Sequence, residues 1–181
     1  MTVAISLQLL LLVYYQLTTR YDFHPFNGVR FWQPGERYTE AAINFTLMVL
    51  PLPGYLFNIS SLMRFGAVFY FILFAREIAS WFVPYFFGAS AKWQDVYSRV
   101  QGRTITLIPP RGQNPTPNFG HLILMALTVG TGIATFTAYW SLPDASAKGW
   151  PVAAGIAAFM LYGIGVTHWK LPKKSAGNRA S

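Results

Sequence analysis

Arg76 and Glu77 stand next to each other inside a mostly apolar run from Leu62 to Phe87. Even on the mildest insertion scales, a charge at the centre of a membrane helix costs roughly 2.5–3.5 kcal/mol. Neighbours on a helix project about 100° apart, so the two do not simply face and neutralise each other. Each needs a partner or water of its own. Two chemistries satisfy that need. One is a ligand contact or the lining of an ion or solute path. The other is a polar clamp inside a bundle, with Asn44 and Ser80 as its natural members. Ser80 lies four residues after Arg76, on the same helical face, and Pro84 leaves the Ser80 carbonyl without its helical donor.

The histidines are the next candidates. His121 precedes Trp140 by nineteen residues, and His168 follows Trp150 by eighteen. At a rise of about 1.5 Å per residue, the two imidazoles are expected at nearly the same depth, roughly 28 and roughly 27 Å from the turn between their helices. His24 falls in a loop on the same side. Imidazole is the commonest metal ligand and carries protons near neutral pH, so His121, His168 and His24 form a possible metal or headgroup site. Three histidines that each mark an interface independently are the more expected arrangement.

Other polar residues are less specific. Asp22, His24, Glu36 and Glu40 share one loop and have metal-ligand chemistry, although scattered loop carboxylates are usually solvated. Asn58-Ile59-Ser60 fits a glycosylation sequon. The chain has no cysteine, which excludes disulfides, thiolate metal sites and a thiol nucleophile. It contains no P-loop, dinucleotide fingerprint, H-E-x-x-H or G-x-S-x-G. No cofactor is indicated.

These residues must be positioned by membrane helices. Of the 181 residues, 53% are hydrophobic and 11% charged, against about 25% charged in an ordinary soluble domain. Spans are expected at about 2–17, 41–57, 62–87, 120–140 and 150–169, the last three long enough to cross a core of about 30 Å. The fold class is therefore all-α: a polytopic integral membrane helical bundle of about five transmembrane helices. Residues 1–171 form one transmembrane domain, and 172–181 a basic disordered tail. The first span lacks a basic residue ahead of it and a clear cleavage site behind it, so it reads as an uncleaved helix. Pro51 predicts a kink or break in the second, and a helix that simply ends near the outer interface is the favoured form of it.

The formal charge of +8 would suggest nucleic acid in a soluble domain; here the basic residues flank apolar spans, and no nucleic-acid partner is expected. Arg20, Arg30 and Arg37, then Lys92, Arg99, Arg103 and Arg111, then Lys170, Lys173, Lys174 and Arg179 fall on one side of the spans. Arg64 and Lys148 alone fall on the other. By the positive-inside rule the N-terminus is outside and the C-terminus cytoplasmic. Trp140 and Trp150 fit the outer interface, and Trp32, Trp81, Trp93 and Trp169 the inner one. Lys170, Lys173, Lys174 and Arg179 are expected to contact anionic headgroups.

Two further patterns concern packing. Ala126, Gly130, Ala134 and Ala138 recur every four residues, as do Ala154 and Ala158, which predicts a close hairpin of the last two spans. In the long loop 89–119, Trp93, Val96, Tyr97 and Val100 share a face, which predicts an amphipathic helix lying on the membrane. The leading functional expectation is a small non-enzymatic accessory or assembly subunit of a cell or inner membrane. It would meet lipid and partner subunits, or copies of itself, through its basic cytoplasmic face. One alternative is an oligomeric ion or small-solute transporter or channel with Arg76 and Glu77 near the path. Another is an enzyme acting on a lipid or quinone at the cytoplasmic interface.

Overall fold

The computed structural model describes residues 1–143, the side chain of Glu36 apart. Its helices are α1 (Thr2–Arg20), α2 (Pro34–Val49), α3 (Leu52–Phe57), α4 (Ser60–Phe87), α5 (Ala91–Val96) and α6 (Phe119–Trp140). A 3₁₀ turn covers Val29–Phe31, and a π-helical turn covers Tyr97–Gln101. The described residues contain no strand; Thr106 and Asn118 make an isolated bridge. Four stretches are long and apolar enough to cross a membrane: Thr2–Arg20, Arg37–Phe57, Ser60–Phe87 and Phe119–Trp140. The expected fifth span at about 150–169, its hairpin with α6 and the tail lie outside the described residues.

Local chemistry sets the helix ends. Pro34 opens α2, where its missing donor and fixed φ suit the first turn. Pro51 interrupts the second span: α2 ends at Val49 and a short helix resumes at Leu52. The span is thus broken and continued, where an end of the helix was the favoured expectation. Asn58 adopts a left-handed conformation at φ 56° and closes α3. α4 then begins almost at once, because Gly54 lets the chains touch; a Cβ there would lie 2.6 Å from the Met63 backbone nitrogen. Gly88, at φ 85°, ends α4 one turn after Pro84. Asn118 caps α6 by accepting from the His121 backbone N–H at 2.9 Å.

α4 packs most extensively on α6, and α1 lies against α6 and α2. Leu9, Leu10, Val13, Ile43, Leu47 and Ile133 are exposed on the outer faces of these apolar helices. The interior is more polar than the exterior suggests. Gln8, Thr128, Thr131 and Thr135 are completely buried. The Thr131 hydroxyl donates to the Leu7 carbonyl at 3.3 Å, and that of Thr135 to the Thr131 carbonyl at 2.7 Å. Tyr70 donates to the Met48 carbonyl at 3.0 Å, and Tyr55 to the Thr135 carbonyl at 2.9 Å. In each case a buried hydroxyl finds a backbone acceptor, without which its burial would be costly.

Apolar packing fills two levels. Ala4, Tyr55, Met63, Ala67 and Ala138 form one cluster. Leu11, Leu12, Tyr15, Met48 and Tyr70 form another. Beyond the second lies the end of the bundle where α1 and α4 finish and α2 and α6 begin. That end carries both long loops. Arg20, Arg30, Arg37, Lys92, Arg99, Arg103 and Arg111 belong to those loops or to the helix turns beside them, so these seven lie at one end of the fold, while Arg64 lies near the other.

A polar cavity at the basic end

A cavity of about 490 Å³ opens between the helices at this end. α4 supplies Arg76, Glu77, Ser80 and Trp81; α2 supplies Arg37, Glu40 and Asn44. Tyr14 and Tyr15 of α1, Lys92 and Trp93 of α5, and His121 of α6 complete the part relevant to its chemistry. Arg76, Glu77, Ser80 and Asn44, singled out on charge and spacing, therefore share one cavity wall. Their register explains it. Arg76, Glu77, Ser80 and Trp81 lie at helical positions i, i+1, i+4 and i+5, a single broad face of α4.

Arg76 is held from α2. Its Nη1 donates to Asn44 Oδ1 at 3.2 Å, and its Nη2 pairs with Glu40 Oε1 at 3.4 Å. The side chains of Arg76 and Glu40 are 36% and 47% exposed, so this ion pair sits at an opening and not in the core. Asn44 passes the network on by donating to Tyr15 Oη at 2.9 Å.

Glu77 has the opposite setting. The residue is 8% exposed. Thr128 donates to its Oε1 at 3.2 Å, while Oε2 is buried with no hydrogen-bond partner. Arg37 Nε is likewise buried and without a hydrogen-bond partner, although Arg37 Nη2 reaches Tyr38 Oη at 2.6 Å. A buried polar atom left unmet costs about 1–3 kcal/mol, so such atoms in a folded protein call for an explanation. Here the two residues that carry them, Glu77 and Arg37, line the same cavity.

His121 is anchored at the cavity rim. Its Nδ1 lies 2.8 Å from Asn118 Oδ1, and its ring packs on Trp81 with centroids 4.1 Å apart. Trp93 meets Trp81 edge-on at 5.5 Å. These contacts correct the expected placement of the 93–100 segment. It folds back over the bundle, with Trp93 and Val96 facing the cavity and Val100 fully buried. Trp93 and Tyr97 take Trp81 as an aromatic partner, and Gly28 allows the close approach: a Cβ there would lie 2.1 Å from the Val100 carbonyl oxygen.

The other histidines do not join His121 in the described part. His24 contacts Phe31 edge-on at 6.2 Å and is not among the cavity residues. His168 and the cluster of Lys170, Lys173, Lys174 and Arg179 lie outside the described residues. Among the described residues no group of three or more His, Asp or Glu is placed to hold a metal. Asp22 instead pairs with Arg30, through both its side chain and its backbone N–H. That hydrogen bonding holds the Asp22 carboxyl below its usual value.

The sequence reading did not anticipate the parts played by Tyr14, Tyr15, Arg37 and Thr128. The spacing Thr128–Thr131–Thr135 was the available signal: three hydroxyls on one face of an apolar helix mark the face that meets other helices. No known protein family, curated protein or solved structure matches the chain.

Proposed function

We propose that this chain is a small multi-pass membrane protein that binds a small ligand non-covalently in the cavity at its basic end, without catalysing a reaction on it. The observation that carries this reading is that Glu77 and Arg37, each with a buried polar atom that has no hydrogen-bond partner, line one cavity. The volume falls in the range of about 300–1,000 Å³ typical of small-molecule sites. The basic end faces the cytoplasm under the positive-inside rule, which puts the N-terminus outside. The site is then reached from the cytoplasmic side or from the inner leaflet.

The test is retention of a molecule by the purified protein. Native mass spectrometry of the full chain in mild detergent is expected to show a bound species. Glu77→Gln and Arg37→Ala should each weaken its retention while leaving the helical content unchanged. Wild-type protein free of any bound molecule, and unchanged in thermal midpoint across lipid and metabolite additions, would refute the reading.

A role as an accessory or assembly subunit is the second reading, and the fixed form of the 102–118 loop favours it. Tyr85 donates to the Pro109 carbonyl at 2.9 Å, and Asn114 to the Tyr85 carbonyl at 2.8 Å. Ile105 donates to the Pro25 carbonyl at 2.9 Å. A loop tied down at several points presents Ile105, Leu107 and Arg111 as a preformed surface for another membrane subunit or a second copy. Copurification of a stoichiometric partner that is lost on Leu107→Asp would support this role.

A further inference from the structure

We infer that the cavity takes the headgroup of an amine-bearing phospholipid, admitted sideways from the bilayer past the Glu40–Arg76 pair. This rests on the ligand-binding reading above and names the class of ligand.

The deep end of the cavity calls for a donor that also carries positive charge. Glu77 offers Oε2 with no partner, and it is buried. Arg76 is the adjacent residue, but its guanidinium is committed to Asn44 and Glu40. Trp81, Trp93, Tyr14 and Tyr15 line the same space. A carboxylate among aromatic rings is the arrangement that recognises an ammonium group, through a charged hydrogen bond and through the ring faces.

The remaining wall calls for an anion. Arg37 and Lys92 both border the cavity, and Arg37 Nε is buried without a hydrogen-bond acceptor. Guanidinium groups suit phosphate oxygens in charge and in planar geometry. One ligand that meets both demands is a zwitterion carrying an amine and a phosphate.

The source of the zwitterion follows from the second opening. A hollow of about 520 Å³ is bordered by Gly35, Thr39, Glu40, Ile43, Asn44 and Arg76. It shares Glu40, Asn44 and Arg76 with the cavity. Thr39, Glu40 and Ile43 are exposed on α2, one of the helices apolar enough to cross a membrane. A headgroup entering here passes the half-exposed ion pair, and its chains stay outside along Ile43.

The experiment uses the full-length protein in nanodiscs holding equal amounts of phosphatidylethanolamine and phosphatidylglycerol, followed by mild extraction and native mass spectrometry of the retained lipid. Phosphatidylethanolamine is expected to be enriched roughly tenfold, the size of one charged hydrogen bond. Glu77→Gln keeps the Thr128 contact and should bring the ratio close to one at an unchanged thermal midpoint. Gly35→Trp should lower retention of either lipid by closing the hollow; no atom lies within 4 Å of a Cβ at that position, so the fold should accept it. An excess of soluble phosphoethanolamine should leave the bound lipid in place.

Equal retention of both lipids by wild type and Glu77→Gln would overturn the amine assignment. A retained quinone would do the same while leaving the cavity a binding site, whereas no retained molecule at all would remove that reading too. Unchanged retention in Gly35→Trp would overturn the lateral route. Displacement by phosphoethanolamine would assign the same headgroup chemistry to a free metabolite in place of a lipid.

Discussion

Tyr70 shows how this bundle uses single residues. It is fully buried, donates to the Met48 carbonyl at 3.0 Å and lies 3.3 Å from Gln8 Oε1. Tyr70→Phe keeps the ring and removes the hydroxyl, so the expected loss is about 1 kcal/mol. Tyr70→Ala also leaves a cavity and should cost about 3–5 kcal/mol. Reversible unfolding in mixed micelles would measure both. Asp22 makes a smaller contribution with a definite pH dependence. Its folded-state pKa is lowered by the hydrogen bonds from Arg30. The pair therefore supports the loop fully above the ordinary Asp value of about 3.9, and the support is lost as pH falls through the depressed folded value. The pair is at the surface, so the effect is modest. Amide exchange at Val29–Phe31 should be faster below that pH than loss of the carboxylate-independent contacts predicts, and Asp22→Asn should abolish the difference. Arg76 and Glu77 were legible in the sequence as residues in need of partners. Asn44 was among the clamp members named from the sequence, and Arg76 donates to it; the parts of Glu40 and Thr128 were not legible, because they come from other helices.

At the scale of elements, close backbone approaches decide the form. α3 and α4 make a tight turn because Gly54 has no side chain. Gly54→Ala should destabilise the protein by about 1–3 kcal/mol or more, since the obstructing atoms are backbone and cannot rotate away. Gly35→Ala is the matched control, with no atom within 4 Å, and should be neutral or slightly stabilising in a helix. Thermal midpoints of the two variants would separate the effects. Gly28 plays the same part between the first loop and the π-helical turn at Val100. Helix positions were readable from the length of the apolar runs. The fate of the 93–100 segment was not. Its apolar face fits lipid and protein equally by periodicity, and its contact with Trp81 of α4 depends on how the bundle is packed.

For the whole molecule, the gathering of cations at one end predicts orientation. Ser60 and Gln113 are exposed near opposite ends of the bundle, and the chain has no cysteine to give background. A cysteine at 60 should react with an impermeant thiol reagent added outside intact cells, and a cysteine at 113 only after the membrane is opened. The reverse pattern would invert the molecule and place the cavity on the outer side.

The sequence by itself determined the all-helical class, the approximate spans within the first 143 residues and the residues too polar for their surroundings. These follow from local quantities: the length of an apolar run, the missing donor of proline and the cost of a charge in hydrocarbon. Tertiary structure alone decided that Arg76 meets α2 while Glu77 meets α6, that Trp93 closes over Trp81, and that Glu77 and Arg37, each with an unmet buried atom, line one cavity. Those outcomes depend on which helix faces are brought together. Residues far apart in sequence, such as Arg37 and Glu77, come to border one space only when α1 holds α2 beside the packed pair of α4 and α6.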